Sequence, residues 1–349
     1  MPLLRFFCLC LLFYPFFALA TNIAPTPKED SQAYPETTDY FIYSLNPKGE
    51  KLLLKTSKSQ ILRATLQDKT GNHTCQTDSK KIKCLDLPEM VFNKEKVIYQ
   101  TESLLEALQP TLTFSLRNQE VQYQYDPKKF KNTNSITINF ICSNDSRLQM
   151  LLNLMYEQDF TCENGKATFM EVAKKSFDKY LEAYERGDKQ ESLESYLKHS
   201  PLEEITKDRV EYFDEEILSL RRFGYLYTGG AHGMPGEWGI IIAREGELVY
   251  LDKFLDLNNE ELKKILWKTF QDYRLAHNID IEDFTSYENF KPSDAMTLDN
   301  EGIIFLYQPY ELLPYSYGII ELKLPFSVVK PFGDFARSPL KHLFGEQSE

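Results

Sequence analysis

Alternating hydrophobic and polar residues mark several stretches of the chain as strands with one buried face. The alternation is seen at residues 114–116, 121–125 and 136–141 in the first half, and at residues 318–324 in the second. This is the pattern of half-buried antiparallel strands. Apolar and β-branched composition predicts further strands, at residues 40–45, 52–55, 61–66, 238–244, 247–251 and 303–307.

Apolar residues recur at helical spacing in two long stretches. The first follows a Thr168–Glu171 capping box and ends at Gly187. The second follows the segment "LDLNNEE" (residues 255–261). Their apolar positions are, in order, Phe169, Val172, Ala173, Phe177, Tyr180, Leu181 and Tyr184, and then Leu262, Ile265, Leu266, Phe270 and Tyr273.

Antiparallel strands with two long amphipathic helices predict an α+β fold, in which the helices pack on one face of antiparallel sheets. The regular strand–helix alternation of a doubly wound parallel sheet is absent from the sequence. The length exceeds one typical domain, so we expect two, at residues 39–160 and 161–335. Residues 21–38 are rich in Pro, Thr and charge and predict a flexible tether, and residues 336–349 predict a tail.

Residues 1–20 have the pattern of a secretory signal peptide. Arg5 precedes a dense apolar run, and Ala18-Leu19-Ala20 is a small-x-small cleavage site, which predicts cleavage after Ala20. An uncleaved N-terminal anchor is the alternative. No later stretch is long and apolar enough for a transmembrane helix. The pattern therefore predicts a periplasmic or secreted protein with no membrane span after cleavage.

Four cysteines remain after the predicted cleavage, an even number that suits disulfides in an oxidising compartment. Three pairings are possible, and we favour the two that are local in sequence, Cys75 with Cys84 and Cys142 with Cys162. The segment "CQTDSKKIKC" between the first two has the composition of a polar turn. A metal site is the competing interpretation, but the cysteines lack the ligand spacing that zinc sites show.

The mature chain is acidic, with 39 basic and 52 acidic residues and a net charge of −13 once Arg5 is removed. This charge argues against nucleic acid and against an anionic membrane surface as partners, and it permits a basic protein partner. The sequence also lacks the P-loop, the dinucleotide fingerprint G-x-G-x-x-G and the zinc motif H-E-x-x-H. We therefore expect no cofactor and no metal.

Five of the 15 glycines fall within residues 227–239, "YTGGAHGMPGEWG", together with one of only five histidines. The motif residues Thr228, Gly229, Gly230, His232 and Gly233 predict a tight turn between two strands, in which glycine supplies positive φ and His232 bonds the backbone of the turn. The alternative is a hydrolase that uses His232 as a base, oriented by Glu237 and assisted by a metal. No nucleophile can be assigned to it, and we predict no catalytic residue.

Three ordered segments resemble a known extracytoplasmic module. They are "YLYTGGAHG" (residues 225–233), "LVYLDKFLD" (residues 248–256) and "EGIIFLYQPYELLPYSYGIIELKLPF" (residues 301–326). They are similar to the C-terminal domain shared by the lysozyme-sensing anti-sigma factor RsiV and the peptidoglycan deacetylase PdaC. A second α/β region usually precedes that module, and residues 39–160 fit this place by position and strand content.

The resemblance implies a function without the activities of those two proteins. The anti-sigma factor has a cytoplasmic domain and a membrane helix before the module, and the deacetylase has a catalytic domain with H-x-x-x-H ligands; this sequence matches neither feature. The resemblance therefore implies an exported, non-catalytic module that recognises a lysozyme-like protein or peptidoglycan at the cell envelope. The alternative of an envelope hydrolase based on His232 stays open.

A tyrosine-rich segment supplies the candidate binding residues. Its aromatic and proline positions are Tyr307, Tyr310, Pro314, Tyr315 and Tyr317. Rigid aromatic rings on a loop stiffened by proline suit a protein or glycan surface. The alternative is that these tyrosines pack inside the domain and bond their hydroxyls internally.

Overall fold

The structure of the protein is a computed structural model, and it describes residues 37–45, 49–68, 71–100, 105–131, 134–186, 192–243, 246–280 and 284–344. The predicted signal peptide, residues 21–36 of the predicted tether and residues 345–349 of the predicted tail lie outside the described residues. Thr37 and Thr38, also assigned to the tether, are the first residues of a strand.

Three sheets contain the strands of the described residues. In chain order the strands are β1 (Thr37–Ser44), β2 (Lys51–Ser57), β3 (Gln60–Asp68), β4 (Gly71–Thr74), β5 (Gln76–Asp78), β6 (Lys81–Lys83), β7 (Met90–Asn93), β8 (Lys96–Gln100), β9 (Leu105–Leu108), β10 (Leu112–Gln124), β11 (Ser135–Ser143), β12 (Glu203–Phe213), β13 (Ile217–Tyr227), β14 (Met234–Ala243), β15 (Leu248–Val249), β16 (Met296–Leu298), β17 (Gly302–Tyr307) and β18 (Ile320–Pro325).

Five α-helices accompany these strands: α1 (Ser146–Tyr156), α2 (Gly165–Arg186), α3 (Leu193–His199), α4 (Glu260–Ala276) and α5 (Phe326–Val329). The largest sheet has the order β15-β14-β13-β12-β11-β10-β1-β2-β3-β4. Its pairs are antiparallel except β11 with β12, which run parallel. A parallel pair needs a crossover connection, and α1, α2 and α3 supply it.

The long strand β10 joins the two halves of this sheet. Its residues Leu112–Arg117 pair with β1, and its residues Leu116–Gln124 pair with β11. The sheet curves so far that Lys55 on β2 donates a 3.4 Å hydrogen bond to the carbonyl of Val210 on β12, four places away in the strand order. Strands on both sides of residue 160 therefore share one sheet, and a domain boundary at that residue stays a prediction.

The two faces of β13 are covered by different elements. Leu220 packs with residues of α1 in one apolar cluster, while the hydroxyl of its neighbour Ser219 lies 3.1 Å from the hydroxyl of Thr297 on β16. The predicted α+β class is confirmed. The two long helices nevertheless lie on different sheets, because α2 contacts β10 and β11 whereas α4 contacts β18.

The helix α2 begins one turn before its predicted start. The predicted capping box at Thr168 and Glu171 is wrong, because Gly165 is already helical and the Thr168 hydroxyl donates to the carbonyl of Asn164 inside the helix. The turn Thr161–Asn164 starts the helix instead, with the Thr161 N–H donating to Asn164 Oδ1 at 2.6 Å and the Gly165 N–H to the Thr161 carbonyl at 2.8 Å.

Both predicted disulfides are present in the structure, Cys75–Cys84 and Cys142–Cys162. The first closes a hairpin formed by β5 and β6, as the polar turn predicted. The second joins the end of β11 to the turn that precedes α2. No strand was predicted for β7, β8 and β9, which complete a five-stranded sheet with β5 and β6.

Residues 336–344, assigned to a tail by the sequence, are packed into the apolar core. Leu340 and Leu343 are almost fully buried, and the Phe344 ring stacks on Phe335 with 3.7 Å between ring centroids. The segment consists of short 3₁₀ turns. Such turns have no extended hydrophobic period, which is why the sequence pattern did not reveal them.

A partly buried ion pair attaches this C-terminal segment to the large sheet. His342 Nε2 lies 2.6 Å from Asp214 Oδ2, and the Tyr212 hydroxyl donates to the same carboxyl oxygen at 2.6 Å. Burial alone would lower the pKa of His342, but the hydrogen bond and charge of Asp214, together with the charge of Glu216, outweigh it and raise the pKa.

We expect His342→Asn to destabilise the protein more in mild acid than in mild base. A raised folded-state pKa contributes stability that is complete below the unfolded value of about 6.5 and is lost as the pH rises through the folded value. The expected loss near pH 5.5, from urea unfolding, is about 1 kcal/mol, the scale of a charge-assisted hydrogen bond. A loss that is the same near pH 9 would contradict this role for the imidazolium.

Candidate functional site

The glycine-rich segment connects β13 to β14 by a turn that requires glycine. Gly229 and Gly230 both have φ of +97°, a backbone region that side chains disfavour. The hydroxyl of Tyr227 donates to the Gly230 carbonyl at 3.0 Å and closes the turn, and Thr228 is exposed. The turn thus places two exposed residues, Ala231 and His232, at the end of the sheet.

Gly233 lies against two tyrosine rings. A Cβ atom at Gly233 would be 2.4 Å from Cζ of Tyr225, so only glycine lets the Tyr225 ring lie there. The hydroxyl of Tyr315 donates to the Gly233 carbonyl at 2.8 Å. Burial raises the pKa of both tyrosine hydroxyls, which therefore remain protonated near neutral pH. The two motifs singled out in the sequence, 82 residues apart, meet at this carbonyl.

The imidazole of His232 is exposed and is held by residues 308–318, which we call the tyrosine loop. Its ring stacks on Tyr315 with centroids 3.8 Å apart, and Nδ1 is 3.0 Å from the Gly233 carbonyl. A carbonyl only accepts hydrogen bonds, so Nδ1 carries the proton. In the neutral ring Nε2 is then an acceptor, and the Tyr310 hydroxyl lies 3.4 Å from it.

A glutamine side chain attaches the tyrosine loop to the outer edge of β14. Gln308 Nε2 donates to the Glu237 carbonyl at 2.7 Å, and the Glu237 N–H donates to Gln308 Oε1 at 2.9 Å. The side-chain amide of Gln308 therefore bonds the edge of β14 as the backbone of a neighbouring strand would. Gln308 was not among the candidate residues, because its contact with Glu237 spans 71 residues and has no local pattern.

Tyr310 has a backbone conformation that is unusual for a large side chain. Its φ is +74°, and its ring is 48% exposed. Its N–H donates to the Leu313 carbonyl at 3.0 Å, and its ring lies 5.8 Å from that of Tyr315. Such a conformation costs on the order of 1–3 kcal/mol for a residue other than glycine. The loop thus holds an exposed aromatic ring in a strained position.

The other candidates in this segment differ in their exposure. Tyr307 is only 2% exposed and its hydroxyl donates to the Lys291 carbonyl at 3.2 Å, so this residue belongs to the core and offers no surface to a partner. Pro314 precedes the 3₁₀ turn Tyr315–Tyr317, and Tyr317 is 38% exposed. Tyr315 is only 7% exposed and stacks on the His232 ring, so this candidate supports the surface rather than forming it. We call the exposed residues His232, Met234, Tyr310 and Tyr317 the aromatic surface.

The structure does not bring Glu237 to His232, as the hydrolase alternative would require. The Glu237 carboxylate instead lies 3.0 Å from Nη1 of Arg221. The same guanidinium also contacts Glu211 and Glu321. Burial raises the pKa of Glu237, against the opposing charge of Arg221. Within the described ranges, no group of three or more His, Cys, Asp or Glu side chains is placed to hold a metal ion.

Two family models match consecutive parts of the chain. The model "Deacetylase PdaC" matches residues 128–235, and the model "Protein of unknown function (DUF3298)" matches residues 245–327. The chain therefore contains a PdaC-like region followed by a DUF3298 domain, and the expected family resemblance is confirmed. The glycine turn lies in the first match and the tyrosine loop in the second, so the aromatic surface forms where the two meet.

Two solved structures of DUF3298 family proteins are similar to this chain. The protein from Bacteroides fragilis NCTC 9343 is 19% identical, and the match covers 65% of this chain and 96% of the other, with a TM-score of 0.46. The protein from Pseudomonas aeruginosa PAO1 is 20% identical, with 66% and 97% covered and a TM-score of 0.44. No curated protein matches the chain.

The disulfides and the domain types bear on the location of the protein. The two disulfides and the two domain types are consistent with an extracytoplasmic protein. None of the helices that the structure describes is both long and apolar enough to cross a membrane.

Proposed function

We propose that the protein is an exported, non-catalytic binding module of the cell envelope, and that the aromatic surface recognises a cationic, lysozyme-like protein. The observation that carries this proposal is Tyr310, a half-exposed aromatic ring on a backbone with φ of +74°. Strain of this kind persists where the surrounding structure enforces it, and it is concentrated at functional sites.

The surroundings of Tyr310 support a preformed binding surface. The Tyr315 hydroxyl is fixed to Gly233, and Gln308 is fixed to Glu237 by two hydrogen bonds. A rigid loop loses little conformational entropy on binding, which favours affinity. Tyrosine and methionine are also enriched at the centres of protein interfaces.

The charge of the chain favours a basic partner. The full sequence has a net charge of −12. Complementary charge steers association and is weakened by salt. The family resemblance points in the same direction, because one protein with this type of module senses lysozyme. Peptidoglycan is the second candidate, since aromatic rings also stack on sugar rings, and the same variants test it.

We expect Tyr310→Ala to weaken lysozyme binding at least tenfold while the free energy of unfolding stays within about 1 kcal/mol of wild type. The ring contributes a contact at the centre of the surface but little to the core. Calorimetry with lysozyme, and sedimentation with purified peptidoglycan, measure the two binding reactions. Urea unfolding measures stability.

Tyr250→Ala is the matched control, because Tyr250 is 47% exposed, close to the 48% of Tyr310, and the structure gives it no contact with the aromatic surface. It should bind like wild type. Equal weakening by both variants, or no binding of wild type to either partner, would contradict the proposal.

The hydrolase alternative makes a different prediction for His232→Ala. If the ring serves recognition, this variant loses affinity with no change in any turnover of peptidoglycan. Turnover by wild type that disappears in His232→Ala, with the fold retained in circular dichroism, would favour the hydrolase instead.

A further inference from the structure

Two cationic side chains lie directly opposite each other on neighbouring strands, away from the aromatic surface. Lys55 on β2 is in register with Arg63 on β3. Like charges at directly opposite positions of an antiparallel pair are destabilising. Proteins usually avoid such like-charge pairs, and the exceptions are expected at functional sites.

The two side chains line one small cavity. Its volume is about 40 Å³, and its polar lining also includes Thr65, Glu211 and Asn300. A water molecule occupies about 30 Å³ in the liquid, so the cavity has room for a small group rather than a large ligand. Arg63 is exposed, which leaves the cavity accessible from solvent.

The hydrogen-bonding capacity of the two cations is only partly used. The ammonium of Lys55 donates to the Val210 carbonyl at 3.4 Å, a single long bond for a group with three donors. Arg63 Nη1 donates to Asn300 Oδ1 at 2.6 Å, one bond for a group with five donors.

The carboxylate in the cavity wall is bound by other cations. Glu211 Oε1 lies 2.5 Å from Nε of Arg209 and 2.8 Å from Nε of Arg221. Glu211 is thus shared with two arginines, and it is the one carboxylate among the lining residues, against the two cations Lys55 and Arg63.

We propose that this cavity binds a small anion with a carboxylate group, held by Lys55 and Arg63. The planar fork of an arginine matches the two oxygens of a carboxylate, and a lysine supplies a point charge beside it. The volume admits the carboxylate group, while the methyl group of acetate, or the rest of a longer molecule, extends into solvent.

The titration of Lys55 supports the same site. Burial and then the charges of Arg63 and Arg209 lower the pKa of Lys55 to about 8, although Glu211 opposes them. Burial and the neighbouring cations thus outweigh the one carboxylate near the ammonium, and an entering carboxylate adds negative charge there. Bound anion is expected to raise this pKa and to leave less neutral amine at a given pH.

Competitive reductive methylation of the purified protein tests the proposal. A brief exposure to formaldehyde and cyanoborohydride near pH 7.5, followed by mass spectrometry of peptides, gives the reactivity of each lysine. We expect sodium acetate to slow the labelling of Lys55 about fivefold, because each unit of pKa changes the neutral fraction almost tenfold. Lys51 is the internal control, since its ammonium is already paired with Glu215 at 2.6 Å.

The variant Arg63→Gln separates this site from a general effect of salt. Arg63 is exposed, and glutamine is a shorter, neutral side chain that still donates hydrogen bonds, so the protein should fold as judged by circular dichroism. The acetate effect on Lys55 should fall below about twofold, because one of the two cations is gone. Unchanged labelling of Lys55 in wild type, an undiminished effect in Arg63→Gln, or equal slowing by sodium chloride would overturn the carboxylate site.

Discussion

Asp208→Ala is expected to destabilise the protein by about 3–5 kcal/mol, the range found when one partner of a buried ion pair is removed. Asp208 is fully buried and is in register with Arg222 on the adjacent strand. Its two oxygens accept from Nε and Nη2 of Arg222 at 2.7 and 2.6 Å, and the Tyr156 ring lies 5.4 Å from the guanidinium. Without the carboxylate, a buried cation has no counter-charge.

Urea unfolding of matched variants measures this effect. Glu321→Ala is the control, because Glu321 is about half exposed and its partner Arg221 retains Glu211 and Glu237. This variant should lose less than about 1 kcal/mol. A double variant, Asp208→Leu with Arg222→Met, should recover much of the loss, since it leaves no buried charge. Similar losses for Asp208→Ala and Glu321→Ala would contradict the burial argument.

Gly239→Ala is expected to cost about 3 kcal/mol, at the upper end for an added methyl group in a packed core. A Cβ atom at Gly239 would lie 2.0 Å from the Met296 carbonyl oxygen and 2.7 Å from Cα of Thr297. These atoms belong to the backbone of β16, which crosses this face of the large sheet. The clash can be relieved only by separating the two sheets.

Gly236→Ala is the matched control on the same strand. Its added Cβ would first meet the side chain of Gln308 at 3.4 Å, an ordinary contact. We expect a loss below about 1 kcal/mol, again from urea unfolding. Equal losses at the two positions would show that the cost comes from glycine replacement in a strand rather than from the close approach of β16.

Local signals made much of the fold predictable. The helix α4 has its apolar positions at the spacing of the sequence pattern, and Asn259 caps it through hydrogen bonds to two backbone N–H groups. The hairpin of β5 and β6 follows from two cysteines that flank a polar turn. In both cases residues close in sequence carry the information.

Contacts between distant segments were not predictable in the same way. Tyr307 and Tyr310 are three residues apart and have similar local sequence, yet one is buried and the other is half exposed. The difference arises because β17 is covered on both faces, whereas the chain leaves the sheet after it. The bonds of Gln308 to Glu237 likewise span 71 residues and have no local pattern.

The central claim is that the glycine turn and the tyrosine loop form one binding surface, although the contact between His232 and Tyr310 spans 78 residues. Hydrogen–deuterium exchange with and without saturating lysozyme tests it most directly. We expect the partner to protect residues 227–234 and 308–318 together, and to leave the five-stranded sheet of β5–β9 unchanged. Protection of only one of these two segments, or protection confined to other parts of the protein, would contradict the claim.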